Sequence, residues 1–230
     1  PYPAHTGFRG KPTVVHNPET LANLPAILQR GAGWFRSLGV ESDPGTRVVT
    51  LTGGVEPAGV IEVECGTPLR EILFQEGREI VQGKQFKAIQ LGGPTGGFIP
   101  ESLLDTPLES DSLKDAGQIM GSGSILVITD DVPLVETVRD AIALSVDASC
   151  GLCVPCRFGL KVVQNLLDKL IEGEAVDEDL TLLKEMCNHI KDTSLCGLGK
   201  TAPLPVLTSL NHFPSDYSAC IKARPVAVGA

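Results

Sequence analysis

The sequence predicts an α+β protein in which a small β-grasp domain is followed by an antiparallel four-helix bundle. Two features carry this. Between residues 45 and 130, short β-branched blocks with the period of strands are separated by Gly- and Pro-bearing turns and interrupted by one helical block. Beyond Asp131 the apolar spacing is helical almost throughout, and the short connections place successive helices side by side. The chain accordingly divides into residues 1–44, 45–130 and 131–230.

The opening "PYPAHTGFRGKPTVVHNPE" is rich in Pro and Gly and reads as an extended connection. "TLANLPAILQRGAGWFRSLG" then has helical spacing, with Leu21, Leu24, Ile27 and Leu28 on one side and an end near Gly31 or Gly33; Trp34 and Phe35 are expected to pack against it. "RVVTLTG" and "GVIEVEC" are strands joined by the turn-forming "GVEPAG", which makes a hairpin. "GTPLREILFQEG" follows as a helix, with Thr67 as N-cap, Pro68 at the first helical position and Leu69, Ile72 and Leu73 on one face. "KAIQLGG" and "SILVITD" supply two more strands, and hairpin, helix, strand, strand is the order of a β-grasp domain. "LGGPTGGF" and "MGSGS" read as turns, because neither runs from a strand into a helix as a phosphate-binding glycine loop does. The helical blocks beyond are "VPLVETVRDAIALSVDAS", "FGLKVVQNLLDKLIEGEA" with a stripe of Val163, Leu166, Leu167, Leu170 and Ile171, "DEDLTLLKEMCNHIKD" with Leu180, Leu183, Cys187 and Ile190, and "APLPVLTSLNHF".

Charge and hydropathy narrow the class of function. Lys and Arg total 19 against 28 Asp and Glu, and the resulting net charge of −9 repels nucleic acid and anionic membrane surfaces. No apolar run approaches the ~20 residues that span a bilayer, and the first ten residues have neither the basic start nor the apolar stretch of a secretion signal. The expectation is a cytoplasmic protein, at most peripheral to a membrane as part of a complex. No nucleophile elbow, HExxH helix or paired-acid motif marks catalysis by the chain itself.

The most chemically pointed stretch is "SCGLCVPCRFG". Cys150, Cys153 and Cys156 follow C-x2-C-x2-C, and Cys196 lies 40 positions beyond Cys156 in "DTSLCGLGKTAP". Three close thiolates and one remote thiolate can surround a 4Fe-4S cubane, each of whose four irons needs one external ligand. Among the remaining cysteines, Cys187 falls on the apolar stripe of its helix, Cys65 ends a strand, and Cys220 has no nearby partner; Cys196 alone sits in a Gly-bounded loop where backbone amides are free to face sulfur. The competing reading is a structural zinc ion held by four cysteines in a binding or scaffold module, but zinc sites usually take two separated pairs rather than three plus one. Arg157 and Lys200 flank the two segments, either as plain surface residues or as charges that favour the more reduced cluster.

These two cysteine segments, together with "GKPTVVHNPETLANLP", resemble the flavin-bearing, NADH-binding subunit of respiratory complex I, and still more the corresponding subunits of NAD-linked and electron-bifurcating hydrogenases and NAD-dependent formate dehydrogenases. The resemblance runs from about residue 2 to about residue 221. It implies a soluble-ligand-binding, ubiquitin-like β-grasp domain, then a helical bundle whose 4Fe-4S cluster, on Cys150, Cys153, Cys156 and Cys196, exchanges electrons with FMN reduced by or reducing NAD(P)(H). It also implies as partners a thioredoxin-like 2Fe-2S subunit and a larger iron–sulfur or catalytic subunit. Residues 1–44 would then be the end of the flavin domain and a connecting helix. In "VVHNPET", Asn17 and Thr20 match family residues that touch FMN, while His16 replaces an asparagine and Pro18 an aliphatic residue; Asn17 as a simple helix cap is the other reading. The glycine-rich domain that binds FMN and NADH in that family has no counterpart in this sequence, so those sites are expected in a preceding region or a partner chain.

Overall fold

The computed structural model describes residues 2–74 and 78–221. Its centre is a five-stranded mixed sheet. Strand β1 (Thr46–Gly53) passes through the short β2 (Val55–Glu56) and returns antiparallel as β3 (Gly59–Glu64), pairing Thr46 with Glu64 and Leu51 with Gly59. Helix α3 (Leu69–Phe74) crosses the sheet, and β4 (Glu79–Ile80) pairs with β2 in a second, two-stranded sheet. Strands β5 (Phe86–Leu91) and β6 (Phe98–Pro100), helix α4 (Ser110–Asp115) and strand β7 (Ser124–Thr129) follow. The order across the main sheet is β3-β1-β7-β5-β6, with β1 parallel to β7 and the other pairs antiparallel.

The hairpin and the two later strands stand where their period predicts them. "GVEPAG" is more than a turn, because Val55 gains burial by leaving the hairpin to pair opposite Ile80. "FIP" is too short for a periodic signal; it becomes β6 because the "LGGPTGGF" turn folds it back onto β5. Gly96 is required in that turn, since a Cβ there would lie 1.7 Å from the Leu91 carbonyl oxygen. Thr67 turns its hydroxyl to the Glu64 carbonyl at 2.8 Å instead of capping α3. The last three residues of "GTPLREILFQEG" lie outside the described residues.

Strands β5, β6 and β7 bury both faces, which is why they read as near-continuous apolar runs rather than alternating ones. Val49, Leu51, Ile89, Leu91, Ile99, Ile125 and Val127 face α3 and α4 in one core. Ala88, Phe98 and Ile128 point the other way, into a second core built with the helices. Those helices are α5 (Leu134–Asp147), α6 (Leu160–Ile171), α7 (Asp177–Thr193), α8 (Gly197–Thr201), α9 (Leu204–His212) and α10 (Pro214–Ser218). Helix α5 packs on α6, α6 on α7, α7 on α9, and α9 back on α5. The Thr208 hydroxyl of α9 accepts the Phe98 amide N–H at 2.9 Å, and Lys87 of β5 pairs with Asp216 of α10. Helical periodicity placed the α6 stripe correctly except at Ile171, which is exposed in the last turn.

The N-terminal segment differs most from expectation. Helix α1 (Pro18–Arg30) forms and stops at Gly31, whose φ of +88° suits glycine, and α2 (Ala32–Arg36) starts immediately afterwards. The stripe of Leu21, Leu24 and Leu28 is exposed, so its periodicity reports a helical conformation and not burial; α1 is held instead by α2 and by Glu19, whose carboxylate accepts the Val48 amide N–H at 2.8 Å. Trp34 lies under the Arg30 guanidinium of α1, 4.7 Å from its ring centre, and Phe35 packs against Gly45. No helix among the described residues is long and apolar enough to cross a membrane.

Because Phe98 is wholly buried and joins sheet to helices, Phe98→Ala should cost about 3–5 kcal/mol in urea-induced unfolding. A loss under about 1 kcal/mol would show that the sheet and the helical layer are not one cooperative unit.

Candidate metal centre

The three-cysteine segment links α5 to α6. Helix α5 ends at Asp147, Gly151 turns the chain with φ +75°, and residues Pro155–Gly159 form a π-helical turn that runs straight into α6. Such a widened turn re-aims side chains at a helix start and recurs at functional sites. The second segment links α7 to α8. It leaves α7 at Ser194 and places Cys196 at the N-cap of α8 with extended backbone (φ −127°, ψ 171°).

Glycines let these two segments meet. A Cβ on Gly159 would lie 2.7 Å from Ile190 of α7, and one on Gly199 would lie 2.5 Å from the Ser194 side chain and 3.3 Å from Cys156 Cβ. The Leu195 amide faces the Cys153 thiol and is the largest influence holding it below the ordinary thiol value; the Cys156 amide adds to this. Cys153 and Cys156 are therefore seated against the segment that carries Cys196, although 40 positions separate Cys156 from Cys196. Exposure falls from Cys150 and Cys196, both open to solvent, through Cys153 to the buried Cys156. Among the described residues, no three His, Cys, Asp or Glu side chains are grouped as donors to a single metal ion.

The surroundings fit an anionic group bound through sulfur. Backbone amides converge on Cys153, the Ser149 hydroxyl lies 3.2 Å from the Cys156 sulfur, and the Ser194 hydroxyl is buried beside them without a hydrogen-bond partner among the described residues. Arg157 folds back over the loop, donating to the Gly151 carbonyl at 3.2 Å, with its guanidinium 4.6 Å from the Phe158 ring centre. Lys200 is exposed in the last turn of α8. Leu152, Val154 and Leu195, carried by these two segments, are exposed apolar side chains.

The other three cysteines are in settings that keep them protonated. Cys187 is buried in the helical core, where desolvation pushes its thiol up to about 12, and burial raises Cys65 and Cys220 as well. Asn17 caps α1, its Oδ1 accepting the Glu19 N–H at 2.8 Å, and it also lines a groove with Trp34, Thr50 and Ser122. Thr20 is exposed in the first turn of α1. Ser149 and Ser194 drew no notice in the sequence; the available signal was a hydroxyl within two residues of a ligand candidate in both segments.

Comparison with known proteins shows which class this sheet-backed layer of helices with its exposed and buried thiols resembles. Residues 136–220 match the iron–sulfur binding region of NADH-ubiquinone oxidoreductase-F. The chain is 42% identical to the NADP-reducing hydrogenase subunit HndC of Solidesulfovibrio fructosivorans, over 95% of this chain and 45% of that protein. It is 34% identical to the F subunit of the NADH-quinone oxidoreductase of Escherichia coli, over 96% of this chain and 50% of that one. A solved NAD+-reducing [NiFe]-hydrogenase in the H2-reduced state superposes with a TM-score of 0.84 at 28% identity, covering 97% of this chain and 38% of the hydrogenase chain. Over the matched length the chain is thus similar to NADH-quinone oxidoreductase F subunits and to NAD(P)-linked hydrogenase subunits, and it spans about half or less of the length of the curated relatives it matches.

Because Gly199 has no room for a methyl group, Gly199→Ala should separate the two segments and lower bound iron at least severalfold while the secondary structure holds. Iron assay with far-ultraviolet circular dichroism checks this, and unchanged iron would show that the close approach is dispensable.

Proposed function

We propose that this chain relays single electrons through one 4Fe-4S cluster held by Cys150, Cys153, Cys156 and Cys196. The electrons pass between an FMN that exchanges hydride with NAD(P)(H) and a neighbouring iron–sulfur subunit of an oxidoreductase complex. The observation that carries this is the packing of the Cys153–Cys156 turn directly against the Cys196 segment, in a region that matches an iron–sulfur binding family. When bound, the cluster takes up and releases one electron at a time without breaking bonds. The chain's residues do the rest: the cysteines hold, the amides and hydroxyls around Cys153 and Cys156 stabilise charge on sulfur, and the Gly151 turn under Arg157 fixes the loop. The names of the relatives, which reduce NADP or NAD or oxidise NADH, support a nicotinamide-linked complex.

The same reading divides the chain into residues 1–44, a β-grasp domain over 45–130 and a four-helix bundle over 131–230. The sheet order β3-β1-β7-β5-β6 with a parallel central pair supports the first domain, and the closed ring of contacts among α5, α6, α7 and α9 supports the second. FMN and NAD(P)(H) would be held mainly by residues outside this sequence. Asn17 and Thr20 would stand at the edge of the flavin site, with Asn17's side-chain oxygen already engaged as a helix cap. A thioredoxin-like 2Fe-2S subunit and a larger iron–sulfur subunit are the proposed partners, with the exposed apolar side chains of Leu152, Val154 and Leu195 on the cysteine segments as a contact surface. The zinc-stapled alternative is not favoured by the family match.

The purified chain, reconstituted anaerobically, should contain about four irons and four labile sulfides and give a paramagnetic signal on reduction. Stoichiometric zinc with no sulfide would end this reading. Alanine at Cys150, Cys153, Cys156 or Cys196 should abolish or convert the cluster, whereas Cys187→Ala should leave iron content intact and cost stability instead. Arg157→Ala should lower the reduction potential by removing a positive charge beside the loop, with the difference shrinking as salt screens the exposed guanidinium. A potential unmoved at low salt would count against that role.

A further inference from the structure

Two hydroxyl groups lie against the ligand cysteines, and the fold alone explains neither. Ser149 Oγ is 3.2 Å from Cys156 Sγ and accepts the Gly151 amide N–H at 3.3 Å. A serine hydroxyl has one proton and two lone pairs. With a lone pair facing Gly151, the proton remains for sulfur. Cys156 as a metal ligand is a thiolate with no proton of its own, so in this pair only Ser149 can donate. Gly151 holds this arrangement through its positive φ, and Arg157 secures the same turn from the other side.

Ser194 is the second. It is 4% exposed, and its Oγ has no hydrogen-bond partner among the described residues. Its backbone N–H continues the α7 ladder to the Ile190 carbonyl, so the residue is held in place while its hydroxyl is left over. The hydroxyl lies in the seam where Gly199 makes room: the point a Gly199 Cβ would occupy is 2.5 Å from Ser194 Oγ and 3.3 Å from Cys156 Cβ. Buried hydroxyls without a partner are rare and call for a reason. Across the seam is Cys156, whose sulfur becomes anionic when it binds metal.

We propose that Ser149 and Ser194 tune the bound cluster, the Ser149 hydroxyl donating to the Cys156 thiolate and the Ser194 hydroxyl to ligand sulfur across the Gly199 seam, and so favouring the form that carries the additional electron. This rests on the reading of these cysteines as cluster ligands. The step is the gain of one electron with no bond made or broken, and both hydroxyl protons stay on oxygen. A donor to a ligand sulfur stabilises the more negative state, which raises the reduction potential. Because these donors are neutral and at least partly buried, their effect does not fade with salt, unlike that of the exposed Arg157.

The test compares the reconstituted wild-type chain with Ser149→Ala, Ser194→Ala and the hydroxyl-retaining Ser149→Thr, titrated with dithionite through redox mediators and followed by electron paramagnetic resonance. Iron and labile sulfide are measured on each sample. In each alanine variant, the oxidised-to-reduced ratio at a fixed potential should rise severalfold; a tenfold rise is about 59 mV for one electron. The rise should be the same at low and high salt, and Ser149→Thr should stay near wild type. Should a variant load less iron, the potential is still read on the loaded fraction, and resonance Raman spectra in H2O and D2O report whether the iron–sulfur stretches still sense an exchangeable donor. Full clusters with unmoved potentials overturn the proposal and leave the ligand assignment standing. A shift at one serine alone overturns the role of the other. Wild-type chain that binds zinc and no sulfide overturns the ligand assignment itself.

Discussion

The arrangement depends on one steric constraint: the turn that carries Cys153 and Cys156 and the connection that carries Cys196 approach each other more closely than side chains at residues 159 and 199 would permit. Glycine at both positions lets Ile190 and Ser194 occupy the space. The approach brings the Leu195 amide to the Cys153 thiol, which holds it below the ordinary thiol value. A Cβ at either glycine would meet Ile190 or the Ser194 side chain and push the packed elements apart.

That contact can be held because the helices behind it have a fixed base. The sheet presents Phe98 and Ile128 to the helical core from its second face, while Ile99 and Val127, one residue away along the same strands, serve the first core. A period of two thus splits a strand between two cores. The Phe98–Thr208 hydrogen bond sets α9 against the sheet edge, α9 sets α5 and α7, and the two cysteine segments grow from the ends of α5 and α7. The metal centre sits at the far end of this chain of packing.

Around that centre, charge and dipole are arranged in two layers. Buried or half-buried amides and hydroxyls act close to sulfur, where low dielectric strengthens them. Arg157 and Lys200 stand outside in solvent, where the ionic atmosphere weakens them. On the proposed reading, the inner layer would set the potential of a bound cluster with little influence from ambient salt.

The sequence by itself determined what is local along the chain. The two-residue and 3.6-residue periods placed the main hairpin, the crossing helix, two strands and the four long helices, and the cysteine spacing singled out the ligand candidates, with Cys187 correctly left in the core. It could not see β2, β4 or β6, which are too short to show a period and exist because turns bring them to a partner. It gave Leu21, Leu24 and Leu28 a helical stripe but not a burial, since a period reports conformation and not what lies opposite. It allowed Asn17 two roles, and the geometry shows the cap. The approach of the Cys196 segment to Cys153 and Cys156, the glycine contacts that allow it, and the positions of Ser149 and Ser194 were decided by tertiary structure alone. Closing a loop of 40 residues depends on the packing of every helix within it, and no spacing along the chain encodes that sum.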